Sequence, residues 1–476
     1  MPVTQSLNVM NNKQFFLSRR TFLSSGVRGS CALALSSLIP SPLAYALYSQ
    51  KTEQWLSDAL TIVRQIREPA FPLRDRTLDV RSVPTSTDAR SFIQDAIDQF
   101  ARDGGGTIHL AAGEWSIRGP LRLKSNIRLH LEEGTKLIFS DDPDHYLPPV
   151  LTRWEGTETF GYSPFIYSYQ AHNVAITGAG SISVQTSTPG RWRSFEALNQ
   201  WELRRSGRSG EPVHERVHDS DGALAPSLIQ FFGCSAVLVE GITTSDAPFW
   251  GIHLVYSHDV TIRNVSIRST RTNNDGIDID SSDRVLVERC VFETGDDCIA
   301  IKSGRDLDGR VLGNPSESIV IRDCTMRHGK SAALALGSEM SGGIRGVYLY
   351  NCAMQRVDTV IDVKSNLDRG GVVERIRAWN VSVEACETFF EVTTVYHGYS
   401  GGHFVPMLRD ISIADVTVAR AALGLQIKGA AESPVTDISL TDVTIRTCDV
   451  PTRILNAQRV HLSRFLANGS EVVWGA

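Results

Sequence analysis

The sequence predicts an all-β chain wound into a parallel β-helix, a solenoid with a short N-terminal capping helix. The segments SAVLVEGITTS, HDVTIRNVSIRS, DRVLVERCVFET, ESIVIRDCTMRH, RGVYLYNCAMQR, ERIRAWNVSVEA, LRDISIADVTVA and VTDISLTDVTIR each have an alternating apolar core followed by a turn. They begin at intervals of roughly 22 to 35 residues, the signature of a solenoid. Each carries a strand period and no helical one, which excludes leucine-rich and helical repeats, and a propeller needs about four strands per blade. Abundant Gly and short Val and Ile runs add to the expectation of many short strands.

Taken in order, residues 1–46 read as a twin-arginine export signal. Ser18-Arg19-Arg20-Thr21-Phe22-Leu23 carries the arginine pair, an apolar stretch runs from Val27 to Ile39, and Ala44-Tyr45-Ala46 fits a small-x-small cleavage site. The apolar stretch is short and broken by Gly29, Pro40 and Pro42, so no stable membrane insertion is expected. A mature chain starting near Leu47, periplasmic or secreted and acting as a monomer, is the expectation, with 47–476 forming one β-helix domain. Thr52 to Arg67 places Trp55, Leu56, Ala59, Leu60, Val63 and Ile66 on one helical face, and Pro69 ends it. A second helix, Ala89 to Ala101, carries Phe92, Ile93, Ala96, Ile97 and Phe100 on one side, with Asp88 or Thr87 as its cap. An uncovered end of a parallel coil would pair with another molecule, and this helix is the candidate cover.

Gly104-Gly105-Gly106 turns the chain into the strands TIHLAAGEWSI, LRLKSNIRLHLEEGTKLIF and NVAITGAGSISV. From Gly190 to Gly222 the apolar period stops and Trp, Arg and Gly dominate. So long an excursion is a wall of a binding groove or a linker. Trp192 and Trp201 are its candidate sugar-stacking platforms.

Composition sets limits on partners. Apolar residues make up 42% and charged residues 21% of the chain, a soluble globular balance. Removing Lys13, Arg19, Arg20 and Arg28 with the leader shifts the net charge from -5 to about -9. Nucleic acid, which needs a basic footprint, is excluded as a partner. Cys290, Cys324 and Cys352 occupy the same place in successive repeats and are read as buried free thiols stacked inside the coil. Neither a C-x-x-C pair nor a zinc spacing is present.

The chemistry concentrates in NNDGIDIDSSDRVLVERCVFETGDDCIAIKSG, Asn273 to Gly304. Residues one coil apart become lateral neighbours at about 4.8 Å, which would bring Asp275, Asp296 and Asp297 together. Carboxylates that close raise one another's proton affinity, so one stays protonated beside an ionised partner. That is the acid and base needed to protonate a glycosidic oxygen and activate a water. Asp278, Asp280 and Asp283 are read instead as turn residues capping backbone groups.

These motifs, in the order N-N-D-G-x-D, G-D-D-C-I-A-I-K-S-G, G-S-E-M-S-G-G and R-G-G-V-V-E, resemble the polygalacturonase family, glycoside hydrolase family 28, within the pectin-lyase-like superfamily. FPLRDR, RWEG at Arg153 to Gly156, YSPFIY and APFWGIH extend the likeness over nearly the whole mature chain. The resemblance implies a right-handed parallel β-helix that hydrolyses pectic polysaccharide with inversion and needs no metal or other cofactor. It makes Asp296 the general acid and Asp275 with Asp297 the pair that activates water. It also places Asn273, Lys302 and Lys364 against substrate, Lys364 at the carboxylate-binding position.

Two departures stand out. The family's G-H-G reads here as His328-Gly329-Lys330-Ser331-Ala332, putting Lys330 or Ser331 where a histidine supports the acid, with His328 as a possible substitute. Its R-I-K reads Asp362-Val363-Lys364, which removes a forked carboxylate donor and places an acid near the sugar. From that swap a rhamnogalacturonan or a decorated pectin is expected as a candidate substrate. A polysaccharide lyase, with Lys330 or Lys364 as base and acids holding Ca²⁺, and a non-catalytic carbohydrate-binding protein are the rival readings.

Overall fold

The computed structural model describes residues 42–83, 88–185, 191–192, 197–220 and 224–474. The export motif and the candidate cap Thr87 lie outside them. Contacts divide the chain after Lys51, and within the first unit the described part is the beginning of helix α1 (Pro42–Gln65). The second unit, Thr52–Ala476, carries everything that follows.

Its body is one coiled sheet of 27 strands, parallel except at the C-terminal end. Apolar residues stack from coil to coil: Val260, Val285, Ile319, Val347, Ile376, Ile411, Ile438 and Val460 pair in succession. All are buried in a single core. The turn after each of these strands recurs in left-handed backbone, at Asn264, Arg289, Asp323, Asn351, Asn380, Asp415, Asp442 and Arg464. Asn and Asp dominate because their short polar side chains tolerate that conformation. They also bond along the stack, Asn380 Nδ2 to Asn351 Oδ1 at 2.6 Å and Asn351 Nδ2 to Asp323 Oδ1 at 3.2 Å. Cys290, Cys324 and Cys352 follow those turns as buried free thiols, as do Cys234, Cys298, Cys386 and Cys448 elsewhere.

Helix α2 (Arg90–Arg102) buries Ile93, Ala96, Ile97 and Phe100 against the first strands of the coil, in the same core. The Asp88 carboxylate accepts the N–H of Arg90 at 2.9 Å and that of Arg118 at 3.0 Å, tying the helix start to the coil. At the far end Ser470–Glu471 folds back antiparallel on Leu466 and Ala467, which pairs the tip of the last strand. Helix α1 stops at Gln65, before Ile66 and Arg67. Only Ala59 of its expected apolar face is fully buried, while Trp55 packs on Trp379 with ring centroids 5.9 Å apart.

The excursion contains helix α3 (Ala197–Ser209), and neither of its two tryptophans lines the pocket described below. Trp192 packs into the core against Tyr146, Tyr162 and Phe165. Trp201 is exposed and lies under the Arg205 guanidinium, outside the pocket described below.

Candidate active site

The strands Ile277–Asp280, Ile299–Lys302, Thr325–Gly337 and Ile344–Lys364 are successive rungs of one face of the coil. Ile277, Ile299, Leu334 and Ile361 stack inward, which sends their sequence neighbours Asp278, Ala300, Ala335 and Asp362 to the outer side. Lys302, Gly337 and Lys364 end the last three of these strands and form the floor of the site, and charged side chains gather around it. The resulting cavity of about 220 Å³ is lined by Asn273, Asp275, Asp296, Asp297, Lys302 and Lys364.

Glycine and asparagine hold the acids in place. A Cβ on Gly295 would lie 1.9 Å from the Arg271 carbonyl oxygen, so only glycine lets the chain turn there. Asn274 donates to the carbonyls of Ala247 and Phe249 at 2.9 and 2.7 Å and accepts from Arg271 N, anchoring Asp275 between two coils. Asp297 Oδ1 accepts the N–H of Ala332 at 2.8 Å and Oδ2 accepts from Lys364 Nζ at 3.1 Å. Of the two residues that could replace the family histidine, Ser331 adds to the lowering of Asp297, the neighbour of the expected general acid Asp296.

The charge states diverge as a result. Burial would raise Asp297, but Lys364, Lys302 and the two donors outweigh it and hold the carboxyl below its ordinary value. Asp296, which forms no ion pair among the described residues, is raised by burial and by Asp297. Asp275 is driven well up by burial, with Lys302 opposing. Lys302 Nζ lies 3.4 Å from Asp275 and Glu339, 3.5 Å from Asp278, and 4.5 Å from the centre of the Trp250 ring. It is a buried hub of the site.

Asp278 and Asp280 also depart from the expectation of turn residues. Both lie in a strand and are fully buried. Asp280 accepts the N–H of Gly304 and pairs with buried Arg153 at 3.1 Å. Asp278 sits behind Asp275 and is pushed well up by burial and by that neighbour.

His328 and Lys330 do not reach the cavity. Both are exposed on the outer part of their strand, beside Asp358, because the register shifts between Gly329 and Ala332 and only the chain after the shift joins the floor. Asp362 is partly buried beside Lys364 at 3.4 Å, its side chain 14% exposed, and does not line the cavity.

Several lining residues escaped the sequence reading. Glu155 of the hairpin Val150–Gly161, Arg204 of α3, and Arg305 just before α4 (Asp306–Leu312) form a cross-linked wall. Arg305 bonds Glu155 Oε2 at 3.1 Å and also Glu339, Arg204 bonds Glu155, and Asn273 Nδ2 reaches Glu155 Oε1 at 3.4 Å. Trp250, Arg369, Tyr396 and His397 complete it. Glu155, Trp250 and Glu339 lie inside the motifs RWEG, APFWGIH and GSEMSGG, a signal that could have found them. Tyr396 and His397 had none.

The profile of the glycosyl hydrolases family 28 matches residues 208–463, more than half of the chain. The chain belongs to this family. It is therefore a glycoside hydrolase on the family's right-handed parallel β-helix. This family 28 enzyme is similar to a hyperthermoactive exopolygalacturonase from Thermotoga maritima of known structure, at 33% identity and a TM-score of 0.82 over 87% of this chain and 96% of that one. It is 28% identical to a probable polygalacturonase of Vitis vinifera, over 74% of this chain and 70% of the relative. An endo-polygalacturonase of Pectobacterium parmentieri is 27% identical over 76% of this chain and 84% of its own. Among the described residues of the enzyme, no helix is long and apolar enough to cross a membrane.

Proposed function

We propose that this enzyme hydrolyses polygalacturonan from a chain end by single displacement. The observation that carries the reading is the opposed state of two adjacent carboxyls, Asp296 raised and Asp297 lowered, on one floor. Asp296 gives its proton to the glycosidic oxygen as the bond to the anomeric carbon breaks. Asp297, with Asp275 beside it, takes a proton from the water whose oxygen bonds to that carbon. Lys302 and Lys364 keep negative charge on the base side.

Asp362 does not oppose a galacturonate as the swapped motif suggested, since it lies outside the cavity and is held by Lys364. Lys302, Arg204, Arg305, Arg369 and Lys364 line the cavity and supply positive charge for a uronate. The Glu155–Arg204–Arg305 wall and the small cavity favour action at a chain end, as does the likeness to an exopolygalacturonase. A lyase base is disfavoured, because Lys330 is remote and Lys364 is pushed well above its usual value against burial by Asp297 and Asp362. Export rests on the twin-arginine leader pattern.

Reducing-end release is to be measured on polygalacturonan and rhamnogalacturonan side by side, with the anomer of the first product read by proton NMR. Short products released without early loss of viscosity, in the inverted configuration, are the expected result. Retained configuration, or release from rhamnogalacturonan alone, would overturn the reading.

A further inference from the structure

On the outer face of the first coils, the strands Gly106–Leu110 and Ile127–Leu131 pair with His109 directly opposite His130. Ile108, Leu110, Leu129 and Leu131 alternate into the core, which turns both imidazoles outward. Their ring centroids are 5.0 Å apart. Glu132 lies two residues beyond His130 and so on the same face. Its Oε1 is 2.8 Å from Nδ1 of His109 and 3.8 Å from Nε2 of His130.

We propose that His109, His130 and Glu132 form a binding site for a divalent transition-metal ion of the zinc class. Three possible ligand atoms lie within 4.8 Å of one another, the one such group among the described residues. Bonds of about 2.0–2.2 Å to nitrogen and oxygen donors place neighbouring tetrahedral ligands roughly 3.3 Å apart. The separations of 2.8 and 3.8 Å straddle that spacing, so small side-chain rotations suffice. The second nitrogen of His130, Nδ1, is 2.9 Å from Oγ1 of Thr177, its partner on the next strand. That contact leaves Nε2 as the nitrogen facing Glu132, the outer-shell orientation that metal-ligating histidines use. Two imidazoles and one carboxylate select zinc, nickel or copper over calcium and magnesium, which prefer oxygen ligands. The side chains keep 25%, 29% and 45% exposure, so ions and water have access. None of the three lines the catalytic cavity, and a bound ion would staple two coils together near the N-terminal end.

The test uses the untagged enzyme, stripped with chelator and titrated with zinc chloride in a calorimeter. One equivalent is expected to bind, with a rise in melting temperature and no change in hydrolysis rate. His130→Ala and Glu132→Gln are expected to lose that binding while keeping the circular dichroism of the parent. Thr177→Val, which removes only the orienting contact, is expected to weaken it by about tenfold. No binding by the parent, equal binding by His130→Ala, or calcium bound as tightly as zinc would each overturn the proposal.

Discussion

Asp296 and Asp297 are neighbours in the chain yet face different surroundings, and the proposed division of labour between them rests on that difference. Asp297 is clasped by Lys364 and the Ala332 N–H, whereas Asp296 Oδ1 accepts only from the Asp297 backbone. Asp296→Asn removes the transferable proton, so kcat on polygalacturonan should fall by about 10²–10⁴-fold with little change in KM. Initial rates at saturating and limiting substrate check this. Lys364→Met removes the cation that holds Asp297 low. The carboxyl pKa then rises, and the acid limb of the pH profile of kcat/KM should move to higher pH. An uncompensated buried carboxylate also costs about 3–5 kcal/mol, which urea denaturation would read.

At the scale of elements, the floor strands alternate core-facing and outward residues and bring Lys302 and Lys364 to the cavity at their ends, so substitutions act through register. Gly276 follows Asp275, and a Cβ there would lie 2.5 Å from the Cys298 carbonyl oxygen and 2.9 Å from the Phe292 ring. Gly276→Ala should therefore displace Asp275, lowering kcat and costing about 1–3 kcal/mol of stability. Paired rate and unfolding measurements test both effects. Asp362 sits at the end of the neighbouring rung, and burial raises its pKa from 3.8 to about 6, Lys364 opposing. The folded state binds that proton more tightly than the unfolded chain. Its contribution to stability is full below pH 4 and is lost as pH rises toward 6, by on the order of 3 kcal/mol. Asp362→Asn should flatten stability across that interval; an unchanged slope in denaturant titrations would refute the assignment.

For the whole molecule, cohesion comes from a continuous apolar stack with no covalent cross-link among the described residues. Among the described residues the free cysteines are all buried, and burial drives the Cys290, Cys324 and Cys298 thiols upward. For Cys290 the hydrogen bond with Cys324 is the larger cause. Reductant should leave the melting temperature unchanged, and thiol reagents should react only after unfolding; a fall in melting temperature with reductant would contradict this.

The solenoid was legible because its strand period and turns are local properties of each repeat, seen in VLVERC, IVIRDC and VYLYNC. The acids Asp275, Asp296 and Asp297 were legible for a related reason: coiling turns one repeat of sequence distance into one step of lateral distance. The same rule explains why Lys302 and Lys364 fall into the cavity. It fails for His328 and Lys330, where a register shift after Gly329 turns the chain, and for Asp362, whose burial depends on what covers its rung. Glu155, Arg204, Arg305, Tyr396 and His397 arrive on a hairpin, a helix and loops that leave the coil. No periodicity relates those segments to the floor. The sequence by itself determined the coil, its turns and the meeting of the three acids in one place, because these follow from nearest-neighbour backbone preferences and repeat spacing. The tertiary structure decided which carboxyl is raised, which is lowered and what walls the cavity, because desolvation and ion pairing depend on residues far apart in the chain.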